Sequence, residues 1–445
     1  MTLPSNESPT RKLSRRDAMR RLATATASLG IASLAAQQTS AAEGVTLDPS
    51  LEATQWWSWR GPTANNHAPK GSTVPDAITP EAAVWSVDVP GRGHSSPIVA
   101  GDAIYLTTHD RKDKTQSVLA FNREDGSLLW SVVAHTGGIP TGNHPKNTEA
   151  SPSVACDGEA VYASFYNDDA IRVTKISLAG VIDWQVSAGR YRPTQYEYGY
   201  AASPQIYGDT VLVAADFDGA SYITALSRND GREVWKTPRS QAISFSSPIV
   251  AEVAGREQLL LSGGNRVAGY DPSTGKRLWQ NPGATTMATC GTMVWTDNLV
   301  FASGGYPKPQ TVCIDASGGE GEIVWSNREK CYEQSMLIVG DSLYGVTDAG
   351  IAFCLDTATG KTQWKERLGG KYSSSPILVG SKIHVFNESG QGFCYEASPD
   401  AYREQSRHTI GDEMFATPSV VDSTMYLRTA VSQRGRRQER LLAVR

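Results

Sequence analysis

Gly269-Tyr270-Asp271-Pro272-Ser273-Thr274-Gly275-Lys276-Arg277-Leu278-Trp279 reads as a short strand, a tight turn and a returning strand that carries a Trp. A turn pair such as Thr-Gly or Asp-Gly between two apolar runs is the strongest short-range hairpin signal. The same pattern of Gly, three residues and Trp ends the segments Ala120 to Trp130, Lys175 to Trp184, Ala225 to Trp235, Cys313 to Trp325 and Cys354 to Trp364. Each hairpin is preceded by a small residue, Ser or Thr, usually Pro, an apolar run, Gly-Asp or similar, and an aromatic. Starts of this kind lie at Ser95-Ser96-Pro97, Ala150-Ser151-Pro152, Ala202-Ser203-Pro204, Ser246-Ser247-Pro248, Ser374-Ser375-Pro376 and Ala416-Thr417-Pro418. Two degenerate starts, Gly291-Thr292-Met293 and Gln334-Ser335-Met336, keep the spacing. Four short strands repeated about every 39 to 55 residues imply an all-β fold, an eight-bladed β-propeller of four-stranded antiparallel blades. Seven blades is the alternative, if the fifth or sixth start is an insertion.

The two ends of the repeat complement one another. Leu441-Leu442-Ala443-Val444-Arg445 aligns with a third strand and has no fourth, whereas Ala82-Ala83-Val84-Trp85-Ser86-Val87 carries a Trp and has no third. The N-terminal strand is therefore expected to close the last blade, which removes a free sheet edge. The seventh unit, Phe393-Cys394-Tyr395-Glu396, lacks both Gly and Trp. The column Trp85, Trp130, Trp184, Trp235, Trp279, Trp325 and Trp364 is expected to wedge between blades, each ring burying area worth roughly 2–3 kcal/mol. A second column, Ala120, Lys175, Ala225, Gly269, Cys313, Cys354, Cys394 and Ala443, is small except at Lys175, as suits a close approach of adjacent sheets.

Residues 1–42 read as an export signal. Ser14-Arg15-Arg16-Asp17-Ala18 has paired arginines, Leu22 to Ala36 is weakly apolar, and Ser40-Ala41-Ala42 is a small-residue cleavage site. This resembles a twin-arginine signal with Ala18 in place of the usual Phe, and implies a periplasmic or otherwise exported product without membrane insertion. Residues 43–80 read as an extension leading into the ring, and 81–445 as one propeller. Losing the six basic and two acidic residues of 1–42 takes the formal charge from −4 to −8. No basic face emerges, which argues against nucleic acid as a partner. The Arg434 to Arg440 cluster reads as a solvated hairpin. Of six cysteines none are adjacent, and Cys290 and Cys331 are the pair whose places in neighbouring units could bring them together. The seven histidines show no zinc-ligand spacing.

The Asp-x-x-Thr-Gly-x-x-x-Trp hairpins at Asp271 and Asp356 resemble the pyrroloquinoline-quinone-like repeat family, over about residues 55–445. Trp57-Ser58-Trp59-Arg60-Gly61-Pro62 and Asn143 to Pro152 look like segments of exported propellers of planctomycete-type bacteria. One branch of the family, the quinoprotein dehydrogenases, implies a quinone clamped by adjacent cysteines and a calcium held by Glu, Asn and Asp. This chain lacks the adjacent cysteines, so no cofactor is expected. The other branch, the propeller lipoprotein of the outer-membrane β-barrel assembly machinery, implies action by presenting surfaces to protein partners. The present chain departs from it in having no lipobox Cys.

Function is expected at the channel mouth where the inner strands begin. The residues two before each Ser/Thr are His94, Glu149, Ala201, Phe245, Cys290, Glu333, Ser373 and Phe415. Long loops, His135 to Thr148 and Arg190 to Tyr200, add His144, Lys146, Asn147, Arg192, Tyr198 and Tyr200, and Arg and Tyr are enriched at binding hot spots. Glu149 and Glu333 are candidates to face one another across the channel. A non-enzymatic scaffold for envelope proteins, a glycan-binding or glycan-processing propeller, and a quinone-dependent alcohol or sugar dehydrogenase are the readings carried forward.

Overall fold

A computed structural model describes residues 55–241, 243–283 and 287–445. The export signal proposed for residues 1–42 lies outside the described residues. Eight four-stranded antiparallel sheets follow one another along the chain as the blades of a propeller. Blade 1 spans 98–136, blade 2 155–190, blade 3 205–238, blade 4 249–282, blade 5 294–327, blade 6 337–367 and blade 7 377–409. Blade 8 combines three C-terminal strands (419–444) with the N-terminal strand Ala83–Val89. Ala83 pairs with Val444 and Trp85 with Ala443, so the ring is closed by both ends of the described chain. The seam is packed as a core, since Leu441 and Ala443 share one apolar cluster with Val89, Tyr105 and Ala120. Arg434 and Gly435 form the turn of the last hairpin.

Each blade is organised around one cross-strand row. In blade 1, Ile98, Tyr105, Ala120 and Trp130 stand side by side on successive strands. The small column therefore has a different cause from the approach of adjacent sheets expected above. It is the cross-strand partner of the Trp, and a small side chain there lets the indole lie over the third strand. The ring then reaches the aromatic of the second strand, with centroids 5.8 Å apart for Tyr105 and Trp130 and 6.0 Å for Tyr162 and Trp184. Lys175, the exception, extends its ammonium to Asp183 at 3.6 Å.

The Gly and the Trp of the repeat meet between neighbouring blades. Trp130 donates its indole N–H to the Leu178 carbonyl at 2.9 Å, Trp184 to Arg228 at 3.0 Å and Trp325 to Thr357 at 2.8 Å, each in the turn of the next blade. The Gly of that turn packs on the ring. A Cβ at Gly360 would stand 2.5 Å from Trp325, and the backbone there is left-handed (φ +66°), so Gly is required on two counts. Trp279 alone turns inward, to Gln258 Oε1 at 2.6 Å.

Ser406 occupies the Trp position of blade 7, opposite Cys394. The N-terminal segment fills the vacated space. Ser406 Oγ donates to the Asp76 carbonyl, and Lys382 pairs with the Asp76 carboxylate at 2.5 Å. The missing wedge is thus replaced from outside the repeat.

Candidate functional site

The first strands begin around the axis, and their backbone builds a collar there. The amide N–H of Ser96 donates to Ser153 Oγ at 2.9 Å, Ser153 to Ser203 at 3.0 Å, and Ser203 to Ser247 at 2.9 Å. On the other side Thr292 donates to Ser335, Ser335 to Ser375 and Ser375 to Thr417, each at 2.9 Å, and Thr417 returns to Ser96 at 3.1 Å. Ser and Thr suit these positions because a hydroxyl oxygen on a short stem can accept the neighbouring blade's amide. Blade 2 corrects the sequence alignment by two residues. The collar member is Ser153, because Ala155 pairs with Tyr162 as Ile98 pairs with Tyr105. The residue two places before it is Ser151, and Glu149 is not on the channel.

One end of the channel is closed by residues 55–68. Trp56 pairs with Val99 of blade 1, the Cys156 amide of blade 2 donates to the Trp57 carbonyl, and Ala68 donates to Leu378 of blade 7 at 2.8 Å. Arg60 is fully buried and donates to the carbonyls of Ala64 (3.0 Å), Asn65 (3.1 Å) and Met336 (2.9 Å). Trp59 completes the collar at the one link without an amide donor, giving its indole N–H to Thr292 Oγ1 at 2.8 Å. The Trp57-Ser58-Trp59-Arg60 stretch is thus the floor of the channel.

Above Trp59 and the collar lies a cavity of about 190 Å³. Seven of the proposed residues line it: His94, His144, Lys146, Asn147, Tyr198, Phe245 and Glu333. Its walls also include Cys290, Tyr332, Ser373 and Phe415. The loop after blade 1 is fixed by Asn147, whose Nδ2 donates to the Tyr198 carbonyl at 2.6 Å and whose Oδ1 accepts the Thr148 amide at 2.9 Å. Gly199 allows this contact, because a Cβ there would lie 2.6 Å from the side chains of Asn143 and Asn147. Asp218 holds the other loop by accepting the amides of Thr194 (2.9 Å) and Gln195 (2.6 Å).

Polar groups in the wall are engaged with one another. Lys146 bridges Glu388 at 2.7 Å and Glu333 at 3.2 Å, and Ser373 Oγ donates to Glu333 at 2.5 Å. Burial opposes the Lys146 charge, but the two carboxylates outweigh it and hold the ammonium above its ordinary pKa. His94 donates from Nδ1 to the Lys146 carbonyl at 3.1 Å and stacks on Phe415 with centroids 4.4 Å apart. Burial, then the charges of Arg428 and Arg92, push its pKa well down, so the ring is neutral. Burial and the nearby Glu333 raise the Cys290 thiol.

Three proposed residues stand elsewhere. Glu149 is paired with His109 at 2.7 Å, and this contact, with Arg111, outweighs burial and holds its pKa at about 2. Glu149 and Glu333 therefore do not face one another across the channel. Tyr200 is buried and donates to the Ala214 carbonyl at 2.9 Å. Arg192 sits on a separate depression of the rim, 3.5 Å from Asp169. Trp59, Tyr332 and Glu388 were not picked out by the repeat. Glu388 had a signal, since Thr347-Asp348-Ala349-Gly350 and Asn387-Glu388-Ser389-Gly390 place an acid at the same turn.

All six cysteines are free thiols, so Cys290 and Cys331 do not pair; Cys331 Sγ donates to the Val346 carbonyl at 3.3 Å. The residues present do not fit a quinone with calcium. No adjacent cysteines exist to clamp a ring, Asn147 is spent on the loops and Glu333 on Lys146, and among the described residues no group of three His, Cys, Asp or Glu could hold a metal.

The repeat family described as "Outer membrane protein assembly factor BamB" matches residues 77–197 and 193–366. The chain is 23% identical over 363 residues to the outer membrane protein assembly factor BamB of Burkholderia pseudomallei, covering 78% of this chain and 85% of that one. Its fold resembles BamB from Moraxella catarrhalis, with a TM-score of 0.58 at 16% identity over 81% of this chain and 96% of the other. It also resembles the quinohemoprotein alcohol dehydrogenase from Comamonas testosteroni, with a TM-score of 0.62 at 12% identity over 89% and 82%. With its hairpin repeat, its eight blades and a family match across most of its length, this chain belongs to the BamB family of PQQ-like repeat β-propellers.

Proposed function

We propose that this chain is an exported, non-enzymatic scaffold that holds protein partners of the cell envelope at the mouth of its channel. A continuous aromatic ridge carries the reading. Tyr306, 47% exposed, contacts Tyr196 at 5.8 Å; Tyr196 contacts Tyr198 at 5.4 Å; and Tyr198 contacts His144 at 4.8 Å and Phe245 at 6.4 Å. The ridge runs from the rim into the cavity on loops already fixed by Asp218 and Asn147. Rigid, amphipathic aromatics on a preorganised support are what binding hot spots are made of. The relatives' description as an assembly factor for outer membrane proteins points to protein partners in the envelope. The cavity's Lys146 and Glu333 are engaged with one another and with Glu388, which supports binding over acid–base chemistry.

A photo-crosslinking residue in place of Tyr306 or Tyr196, activated in the native cell, tests this. One or a few defined envelope proteins should be captured. Capture of none, together with dye reduction by the purified protein on addition of pyrroloquinoline quinone, calcium and an alcohol, would replace the scaffold with a dehydrogenase.

A further inference from the structure

We propose that the central cavity binds a single neutral sugar ring. The first observation is the state of the collar. Each of its hydroxyls accepts one hydrogen bond, from a neighbouring amide or from Trp59, and none donates to an acceptor among the described residues. Seven of them line the cavity, and all seven are less than 7% exposed. A hydroxyl carries one donor and two lone pairs, so this ring offers seven buried O–H donors converging on the axis. Buried donors left unmade are costly, and an occupant bearing several oxygens around its edge satisfies them.

The second observation is size. At about 190 Å³ the cavity is smaller than the roughly 300–1,000 Å³ of pockets that take drug-sized ligands, so it suits one ring and not a chain. The third is the wall. Tyr198, Phe245, Tyr332 and Phe415 offer apolar faces, while Glu333, Ser373 and Lys146 offer polar edges. An occupant with apolar C–H faces and a hydroxylated edge matches both. Charge excludes the other polyoxygenated rings. Lys146 is already shared by two carboxylates, so these three groups sum to −1 and disfavour a carboxylated or phosphorylated ligand. For a free cation, the described residues offer no group of three His, Cys, Asp or Glu that could hold it.

The sugar is either a free hexose or the terminal residue of an envelope glycan. This site goes beyond the capture of protein partners, and because Ser373 lies in the cavity wall and outside the aromatic ridge, Ser373→Ala should weaken sugar binding while leaving that capture unchanged. The test is saturation-transfer NMR and calorimetry on the full-length protein, with a panel of neutral hexoses, singly deoxygenated analogues and terminal-hexose oligosaccharides. At least one hexose should bind, with a deoxy analogue weakened tenfold or more, as expected of a site built to hydrogen-bond hydroxyls. Free hexose and oligosaccharide arms separate the two sources. Phe245→Ala and Ser373→Ala should each weaken binding at least tenfold without lowering the melting temperature as Trp325→Ala does. Binding by no neutral sugar, tighter binding of a sugar phosphate or uronate, or binding unchanged in both variants would overturn the proposal.

Discussion

Arg428 donates from Nε to the Glu439 carboxylate at 2.8 Å, with both side chains 2% exposed where the last blade meets the first. The guanidinium continues to Ser95 Oγ at 2.9 Å and the Thr107 carbonyl at 2.8 Å, and Glu439 accepts the Gly93 amide at 3.1 Å. The pair therefore ties blade 8 to the start of blade 1, beside the His94 wall of the cavity. Burial depresses the Arg428 pKa even with Glu439 in contact. Removing one partner leaves the other buried and uncompensated, which costs about 3–5 kcal/mol. Glu439→Ala should lower stability by that amount in urea unfolding. The double variant Arg428→Met/Glu439→Leu should recover much of it, because burying two apolar groups there leaves no orphan charge.

Gly360 and Trp325 set the tolerance between neighbouring blades. Gly360→Ala combines a strained backbone (φ +66°) with a Cβ 2.5 Å from the indole. Gly340→Ala, at φ +56° with nothing within 4 Å, carries the strain alone. The second should cost about 1–2 kcal/mol, and the first about 1–3 kcal/mol more from overpacking. In a double-mutant cycle with Trp325→Ala that surplus should vanish, since the ring the methyl strikes is gone. Equal costs for both glycines would remove the wedge as the reason for the motif.

Acid should weaken the fold in two separate windows. His384 and His408 flank the Asp76 contact in blade 7, and the groups facing them are Asp76, Lys382 and Cys394. Burial, with the charge of His408 added at His384, lowers both imidazoles from 6.5 to about 4. Both are neutral in the fold, so the unfolded chain binds protons first. Their contribution is complete above pH 6.5 and is lost as pH falls from 6.5 to 4, at roughly 2–3 kcal/mol each. Glu149, at about 2 against 4.5, contributes above pH 4.5 and loses it only between 4.5 and 2. His384→Gln/His408→Gln should flatten the urea midpoint between pH 6.5 and 4 and leave the lower window in place.

The propeller, its blade number and its closure were legible because they are carried by repetition. A residue type recurring at one spacing reports the same contact many times over, and the ends of the pattern showed which strand was missing. Registers resting on a single copy were less secure. Pro152 beside Ser151 imitated the start motif in blade 2, while the distance to Tyr162 held the correct alignment with Ser153 in the collar. Contacts from outside the repeat left no periodic trace. Asp76 filling the space of a lost Trp, Arg60 buried among three carbonyls, and Trp59 closing the collar each occur once. The cavity wall was half legible for the same reason. His94, Phe245 and Glu333 sit at a repeated position, whereas Lys146 and Tyr198 were read from the composition of two loops, and Trp59 and Tyr332 were missed.

Tyr198 should be the energetic centre of the mouth. It touches Tyr196, His144 and Phe245, and its carbonyl is held by Asn147, so little freedom is lost when a partner covers it. Arg192, 58% exposed and loosely paired with Asp169 at 3.5 Å, lies on the same loop but has no such support. Once a protein partner has been captured, calorimetry should show Tyr198→Ala weakening it by about 2 kcal/mol or more, the loss appearing mostly in the dissociation rate. Arg192→Ala should cost less than about 1 kcal/mol, a loss that shrinks further as salt is raised. The reverse order would move the recognition surface off the ridge and onto the rim depression beside Asp169.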